Sequence, residues 1–101
     1  MIYKLLVPAA VPDVKEIRVL EWHGAPGAVF EPGELIVELE THKAVVEARA
    51  GQRGVLREIK AQPGDWRAIG LEIALFSDTA DEPLPQGEGE AADLAIEFDV
   101  I

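Results

Sequence analysis

The residue best suited to chemistry is Lys43, which lies in the segment Glu40-Thr41-His42-Lys43-Ala44. A lysine amine has a reference pKa of about 10.4, so at neutral pH it is almost fully protonated and a poor nucleophile. Acylation of such an amine therefore requires a separate enzyme that binds the segment and presents an activated acyl group. The alternative for Lys43 is an ordinary solvated lysine in a turn, which is the commonest role of this residue type.

Other kinds of reactive site are poorly represented in the chain. It has no cysteine, which excludes disulfides, thiolate nucleophiles and cysteine metal sites and suits a reducing compartment such as the cytoplasm. Ser77, the only serine, lacks a Gly-x-Ser-x-Gly setting. The two histidines, His23 and His42, lack the spacing of metal ligands. We therefore expect neither an independent enzyme nor a metal site.

Charge is unevenly distributed along the chain. Residues 1–76 hold 11 acidic and 9 basic side chains, whereas residues 77–101 hold 8 acidic and no basic ones, which gives the net charge of −10. Such an excess of negative charge is repelled by the phosphates of nucleic acids and by anionic membrane surfaces. No apolar run approaches the roughly 20 residues of a membrane span. The sequence thus disfavours nucleic acids and membranes as partners.

The elements that must position Lys43 are short strands. No part of residues 1–76 keeps a helical period over the length of an ordinary helix. Instead, apolar stretches of about five or six residues, the usual strand length, alternate with turns rich in glycine and proline. They cover residues 3–7, 17–22, 35–39, 44–48, 55–59 and 71–76. This pattern predicts an all-β sandwich or barrel.

An internal repeat indicates that the barrel has two related halves. Residues 25–33 match residues 62–70 at a constant offset of 37. Two copies are too few for a solenoid, but they suit a pseudo-symmetric barrel whose halves cover each other's apolar face. Five glycines are predicted to occupy turns that need positive φ or a close backbone approach. They are Gly27, Gly33, Gly54, Gly64 and Gly70.

The composition changes after Phe76. Residues 77–93 are rich in proline, glycine, glutamate and aspartate, which predicts a solvated linker. In residues 94–101, every second side chain from Leu94 to Val100 is apolar. This alternation predicts an edge strand on the barrel or on a neighbour, the alternative being a frayed terminus. The predicted organisation is a folded domain at 1–76, a linker at 77–93 and a tail at 94–101.

The segment around Lys43 fixes its own strand register. We take His42 and Lys43 as the two residues of a tight turn. The facing pairs on one mostly apolar side are then Thr41 with Ala44, Leu39 with Val46, and Val37 with Ala48. The opposite, solvent side receives Ile36, Glu38, Glu40, Val45 and Glu47. A shift of one residue would bury the glutamates, so the pattern sets the register and leaves Lys43 at the apex in water.

The lysine segment resembles the Glu-Thr/Ser-Asp-Lys-Ala signature of lipoyl domains from 2-oxoacid dehydrogenase complexes. The flanking glycines have a similar spacing, with Gly33 ten residues before Lys43 and Gly54 eleven residues after it. Three further motifs resemble the turns and the second strand of that family: Pro26-Gly27, Pro63-Gly64-Asp65 and Glu21-Trp22. The combination covers about residues 3–76 and is more specific than the pentapeptide alone.

The resemblance implies a flattened barrel of two four-stranded antiparallel sheets with pseudo-twofold symmetry. Lys43 would carry lipoic acid as an amide, and Glu40, Thr41, His42 and Ala44 would form the recognised hairpin. The implied partners are a lipoate-protein ligase or lipoyl transferase, and the dehydrogenase, acyltransferase and dihydrolipoamide dehydrogenase components of a complex. The domain would be a non-catalytic swinging arm that moves acyl groups and electrons between active sites.

Some residues depart from the pattern of that family. His42 stands where aspartate is usual, which removes a negative charge beside the lysine, and residues 8–13 replace a Gly-Glu-Gly loop. A biotin carrier is one alternative, although biotin domains typically flank their lysine with methionines and Met1 is the only methionine here. The other alternative is an unmodified lipoyl-like interaction module that docks through its acidic tail by strand addition.

Overall fold

A computed structural model describes residues 1–84 and 91–101. These residues form ten strands, and the expected all-β fold is confirmed. Within them, no helix is long and apolar enough to cross a membrane. The strands are β1 (Ile2–Leu6), β2 (Glu16–Trp22), β3 (Val29–Phe30), β4 (Leu35–Glu40), β5 (Val45–Ala50), β6 (Gly54–Ile59), β7 (Trp66–Ala68), β8 (Glu72–Ser77), β9 (Ala92–Asp93) and β10 (Ile96–Val100).

The strands form two five-stranded sheets. The first sheet has the order β3-β6-β8-β1-β9, and the second has the order β10-β5-β4-β2-β7. Strands β1 to β8 supply the four strands expected in each sheet, and they pair antiparallel. Each sheet gains a fifth strand because the tail returns along one edge of both sheets. Strand β9 departs from the antiparallel pattern, since it lies parallel to β1.

The core lies between the inner faces of the two sheets. In β5, buried residues alternate strictly with partly exposed ones, which is typical of a sheet with one solvated face. The rings of Phe30 and Phe76 meet edge to face with their centroids 6.0 Å apart, a favourable arrangement for aromatic pairs. Both sheets supply fully buried side chains, among them Leu5, Ile17, Val19, Ile36, Leu39, Val46, Leu56 and Ile73.

The sequence repeat reappears as matched turns. Gly27 and Gly64 have φ values of 101° and 95°, and a Cβ added to either would meet no atom within 4 Å. The Gly27 amide donates to the Leu56 carbonyl at 2.7 Å, and the Gly64 amide donates to the Val19 carbonyl at 2.8 Å. These two glycines are therefore needed for their positive φ and not for space.

Two of the remaining predicted turn glycines also form a matched pair, and one does not lie in a turn. Gly33 and Gly70 have φ values of 91° and 89°. Gly54 instead begins strand β6 and is buried. A Cβ added to Gly54 would lie 3.3 Å from Cδ2 of Phe76, so this glycine lets a strand backbone approach an aromatic ring closely.

Both halves contain a β-bulge that the alternation pattern did not predict. In β4, Leu35 pairs with Arg49 and Val37 with Ala48, so Ile36 is the extra residue. The pairing of β8 with β1 skips Ile73 in the same way. A bulge interrupts strict alternation, and Ile36 is consequently 0% exposed beside the equally buried Val37. The expectation that Ile36 lies on the solvent side was wrong for this reason.

The two halves differ most in one loop. Residues 7–15 join β1 to β2, whereas residues 51–53 join the equivalent strands β5 and β6, so nine residues stand where the other half has three. Asp13 in the longer loop has a φ of 61°, the one positive value outside glycine in the described part of the chain. Aspartate tolerates this conformation better than most residues. The longer loop lies at the hairpin end of the molecule, since His42 shares a cleft with it.

The acidic tail packs back onto the barrel. Strand β9 pairs with Tyr3 and Lys4 of β1, and Leu94 is only 6% exposed. Strand β10 then runs antiparallel to β5, and the Ile101 amide donates to the Val45 carbonyl at 2.8 Å. The predicted linker at 77–93 includes residues 85–90, which lie outside the described residues.

Candidate functional site

Lys43 lies at the tip of the hairpin formed by β4 and β5. Leu39 pairs with Val46 and Glu40 pairs with Val45, which is the register expected from the sequence. His42 and Lys43 follow as the two residues of the turn, and both are exposed. The five residues from Glu40 to Ala44 are thus brought together at one end of the second sheet.

The turn is held by the side chain of Thr41, which is buried. Its hydroxyl accepts hydrogen bonds from the amides of Lys43 at 3.0 Å and Ala44 at 2.9 Å. The same hydroxyl donates to the Ala44 carbonyl at 3.3 Å, and the Thr41 amide donates to that carbonyl at 2.8 Å. A hydroxyl has one proton and two acceptor lone pairs. The full hydrogen-bonding capacity of Thr41 therefore fixes the backbone beneath Lys43.

Among the described residues, no neighbouring charge holds the Lys43 amine. Within residues 1–84 and 91–101, the ion pairs involve neither Lys43 nor His42. The amine extends from a fixed backbone into solvent, while the strands behind it are packed into the core. This geometry suits a side chain that a second protein must reach.

Glu40 connects the hairpin to the strands beside it. Its carboxylate accepts a hydrogen bond from the Arg18 guanidinium at 2.5 Å, and that guanidinium lies 5.9 Å from the centre of the Trp66 ring. A cation over an indole face is attractive, so Arg18 links β4 to β7 across β2. This link was not predicted from the sequence. The alternation of β2 that places Arg18 opposite Glu40 is the signal that would have indicated it.

The glutamates of the hairpin strands have partners on the solvent side. Glu38 and Glu47 face each other across β4 and β5. Glu38 lies 2.7 Å from Nε2 of His23, and Glu47 accepts from Arg49 at 3.2 Å, which offsets the repulsion between like charges. Glu21 joins His23 and Glu38 in a group whose ligand atoms all lie within 4.8 Å of one another. Exposed acidic groups often cluster in this way without an ion, and we assign no metal to them.

A cleft of about 320 Å³ opens beside the hairpin tip. The longer loop of the first half forms one wall, and His42 and Trp66 contribute from the hairpin and from β7. Its volume lies within the range of small-molecule sites, which is roughly 300–1,000 Å³. The cleft was not predicted from the sequence, although the nine-residue loop present in only one half indicates it. The lining residues are Asp13, Val14, Lys15, Glu16, His42 and Trp66.

Comparison with known proteins gives matches that extend over most of the barrel. Residues 4–75 match the family model described as Biotin-requiring enzyme, Biotin_lipoyl. The chain is 34% identical over 91 residues to the dihydrolipoyllysine-residue succinyltransferase component of the 2-oxoglutarate dehydrogenase complex of Bacillus subtilis. It is 39% identical over 80 residues to the dihydrolipoyllysine-residue acetyltransferase component of the pyruvate dehydrogenase complex of Rickettsia conorii.

These matches cover 87% and 78% of this chain but only 22% and 19% of the two relatives. The mitochondrial pyruvate dehydrogenase complex protein X component of Chaetomium thermophilum is 29% identical over 90 residues, which are 83% of this chain and 20% of that protein. The chain therefore spans about a fifth of the length of these relatives. The residues matched by the family model contain the complete lysine hairpin and nearly all of β1 to β8. On this basis, the chain belongs to the biotin- and lipoyl-attachment domain family.

Proposed function

We propose that this chain is a lipoyl carrier domain in which Lys43 bears lipoic acid as an amide. The observation that supports this function most strongly is the exposed position of Lys43 on a two-residue turn whose backbone is fixed by Thr41. A modifying enzyme can surround such a turn on several sides. When bound, the lipoyl group supplies a dithiolane that accepts acyl groups and electrons.

The residues of the chain hold and present this group, and the chemistry belongs to other proteins. Thr41 fixes the origin of the tether, and the ion pair of Glu40 with Arg18 fixes the hairpin on the sheet. Beyond the Lys43 Cα, the tether is flexible and free of ion pairs within the described residues. A tethered group meets each active site as an intramolecular partner, which raises its effective concentration. We therefore assign the chain no catalytic role of its own.

Lipoate is favoured over biotin by two observations. Met1 is the only methionine, so none flanks Lys43 as methionines typically do in biotin carrier domains. The relatives from Bacillus subtilis and Rickettsia conorii are both described by a dihydrolipoyllysine residue. We extend this modification to Lys43, with Glu40, Thr41, His42 and Ala44 as the residues that the modifying enzyme recognises.

The proposed partners follow from the complexes to which the relatives belong. A lipoate-protein ligase or lipoyl transferase would attach the group. The dehydrogenase, acyltransferase and dihydrolipoamide dehydrogenase components of a 2-oxoacid dehydrogenase complex would load, unload and reoxidise it. We place the attachment and use of the lipoyl group in the cytoplasm, because a chain without cysteine suits a reducing compartment. We propose residues 1–76 as the carrier domain, residues 77–93 as the segment that connects this domain to the tail and ends in β9, and residues 94–101 as the added edge strand that contains β10.

Intact-mass spectrometry tests the proposed function. Protein produced with a lipoate-protein ligase and lipoic acid should gain the mass of one lipoyl group, and the Lys43→Arg variant should gain none. Circular dichroism should show the same β-sheet signal for both, because Lys43 is exposed and makes no ion pair within the described residues. A biotinyl increment with a biotin ligase would favour the biotin carrier. A mass that stays unmodified with both enzymes would favour an interaction module.

A further inference from the structure

We propose that the free edge of strand β10 is a docking edge for the enzyme that attaches the lipoyl group to Lys43. An extended segment of that enzyme would add to β10 as a sixth strand of the second sheet. This inference rests on the proposed function, since it requires that Lys43 is modified. It deepens that function, because it assigns part of the enzyme's recognition to the tail of the chain and not only to the hairpin.

Strand β10 is the only long strand at an edge of the described sheets. The four edge strands are β3, β7, β9 and β10, and they contain two, three, two and five residues. A short edge strand offers few unpaired backbone groups, which is one way in which proteins prevent unwanted pairing. Strand β10 also contains neither lysine nor proline, two residue types that commonly protect an edge. It is therefore the edge best suited to strand addition.

The hydrogen bonds to β5 show which backbone groups of β10 remain available. The Ile101 amide donates to the Val45 carbonyl at 2.8 Å, so these two residues form a hydrogen-bonded pair. Such pairs alternate along an antiparallel ladder, so Glu97 and Asp99 also direct their backbone groups to β5. The residues between them direct their amides and carbonyls away from β5, to a side on which the described residues place no strand. They are Ile96, Phe98 and Val100.

The end of β10 lies beside the hairpin. Ile101 faces Val45, which is two residues from Lys43, and strand geometry places Ile101 roughly 9 Å from Lys43. A lysine side chain reaches only about 6 Å from its Cα, so an enzyme that acts on the unmodified amine must approach the hairpin backbone closely. A typical interface covers about 800 Å² of each partner, equivalent to a disc of about 16 Å radius. A disc of this size centred on Lys43 includes the end of β10.

The side chains of β10 define the chemistry of the segment that would pair with it. Phe98 lies opposite the buried Ala48, and Phe98 and Val100 are 44% and 50% exposed. Glu97 and Asp99 lie on the other, solvent side of the strand, because side chains alternate. Cross-strand pairs of apolar residues and of opposite charges are favourable. The segment that fits therefore has apolar residues beside Phe98 and Val100 and basic residues beside the two carboxylates.

A second copy of this chain fits the edge less well than such an enzyme segment. Two β10 strands paired antiparallel over their full length would place Glu97 of each copy opposite Asp99 of the other. Like charges directly opposite each other are destabilising. Arg49 of the same chain contacts Asp99 at 3.3 Å, but this contact leaves the Glu97 carboxylates to face the partner. A modifying enzyme with basic residues in the added segment avoids this repulsion, and it is the occupant that we assign.

Initial rates of lipoylation, followed by intact mass, test the proposal. Val100→Pro removes an amide that points away from β5, so it blocks an added strand while the hydrogen bonds to β5 remain. We expect the KM of lipoate-protein ligase for this variant to rise about tenfold with kcat unchanged, because a hydrogen bond used in binding is lost. Val100→Thr keeps the amide and the β-branched shape. It is the matched control and should stay within about twofold of the parent protein.

The outcomes separate this inference from the proposed function. If the parent protein gains a lipoyl group and the KM for Val100→Pro is unchanged, the docking edge is overturned and the carrier function is intact. An equal rise of KM in Val100→Thr also overturns the docking edge, because the amide would then not be the cause. The absence of a lipoyl increment in the parent protein overturns both proposals. A dimer in sedimentation velocity that Val100→Pro dissociates overturns the enzyme as occupant and assigns the edge to a second copy.

If Val100→Pro does not fold, amide hydrogen exchange of the parent protein decides. With lipoate-protein ligase present and lipoic acid omitted, we expect slower exchange at the amides of Phe98 and Val100. The amides of Glu97 and Asp99 bond to β5 and are the internal control, since they should exchange slowly with or without the enzyme. Unchanged exchange at Phe98 and Val100 overturns the docking edge.

Discussion

The two ends of the barrel are equivalent by pseudo-symmetry but are closed in different ways. At the hairpin end, the Thr41 amide donates to the Ala44 carbonyl at 2.8 Å, and the two-residue turn joins β4 to β5. At the opposite end, the equivalent bond runs from the Asp78 amide to the Met1 carbonyl at 3.3 Å. There, the Met1 amino group also donates to the carboxylates of Asp78, at 3.1 Å, and Glu82.

This difference explains why one end is suited to present an amine. The Met1 amino group is held by two carboxylates, whereas the turn beneath Lys43 is held by the neutral hydroxyl of Thr41. A neutral hydroxyl fixes the backbone without attracting the lysine ammonium. The hairpin end therefore combines a rigid backbone with a side chain that stays available to other proteins.

The largest effect should come from the paired bulge residues, which test the equivalence of the two halves. Ile36→Ala and Ile73→Ala each remove a side chain that is 0% exposed, and each should lower the free energy of unfolding by about 2–5 kcal/mol. Urea denaturation of both variants measures this. A substitution at one position that costs less than about 1 kcal/mol, while the other costs several, would show that the halves are not equivalent in the core.

The hydrogen bonds of the Thr41 hydroxyl at the hairpin end should give the next largest effect. Thr41→Val keeps the shape of the side chain but leaves the amides of Lys43 and Ala44 without their acceptor, so it should cost about 1–3 kcal/mol. Amide hydrogen exchange at these two residues should become faster. Thr41→Ser, which retains the hydroxyl, is the matched control and should keep slow exchange. Equal exchange rates in Thr41→Val and the parent protein would contradict the role of the hydroxyl.

The matched turn glycines should give smaller and similar effects. Gly27→Ala and Gly64→Ala each place a Cβ in open space but force a side chain onto a positive φ. The expected cost is about 1–2 kcal/mol for each variant. Thermal or urea unfolding measures this loss of free energy of unfolding. If the losses in the two variants differed by more than about 2 kcal/mol, the turns would not be equivalent.

The smallest effect concerns the ion pairs at the end opposite the hairpin. The hydrogen bond with Met1 lowers the pKa of the Glu82 carboxyl from its ordinary 4.5, and the same bond raises the pKa of the Met1 amino group from its ordinary 8.0. The stabilisation of the folded state by the Glu82 carboxylate is present above pH 4.5. It is lost as the pH falls through the lowered pKa of this carboxyl. The stabilisation of the folded state by the Met1 ammonium group is present below pH 8.0. It is lost as the pH rises through the raised pKa of this group.

The stability difference between the parent protein and Glu82→Gln should therefore be largest between pH 4.5 and pH 8.0 and should shrink on both sides. Because these groups are exposed, we expect only a small difference. Urea midpoints across this range measure it, with Asp81→Asn as the control for loss of one exposed carboxylate nearby. A difference that grows in acid would contradict the assigned pairing.

The fold and the hairpin register were predictable because they depend on local alternation and on repeated turns. Leu39 opposite Val46 follows from burying the apolar residues of β4 and β5 together. The offset of 37 placed Gly27 and Gly64 in equivalent turns, and both have positive φ. These features are determined by residues that are close in sequence or repeated within it.

The features that were missed depend on contacts between distant segments. The bulge at Ile36 breaks an alternation that the sequence still displays. Gly54 lies at the start of a strand and not in a turn, and of its two expected roles only the close backbone approach, here to Phe76, is observed. The cleft requires the loop at 7–15, the hairpin and β7 to meet, and no local pattern encodes this meeting. The parallel pairing of β9 with β1 likewise brings together residues from the two ends of the chain.

The proposed attachment site of the lipoyl group is Lys43 and no other lysine. Peptide mapping by tandem mass spectrometry, after lipoylation of the folded protein, tests it most directly. We expect the lipoyl increment on Lys43 alone, with Lys4, Lys15 and Lys60 unmodified. An unmodified Lys43, or an increment distributed over the other three lysines, would contradict Lys43 as the attachment site.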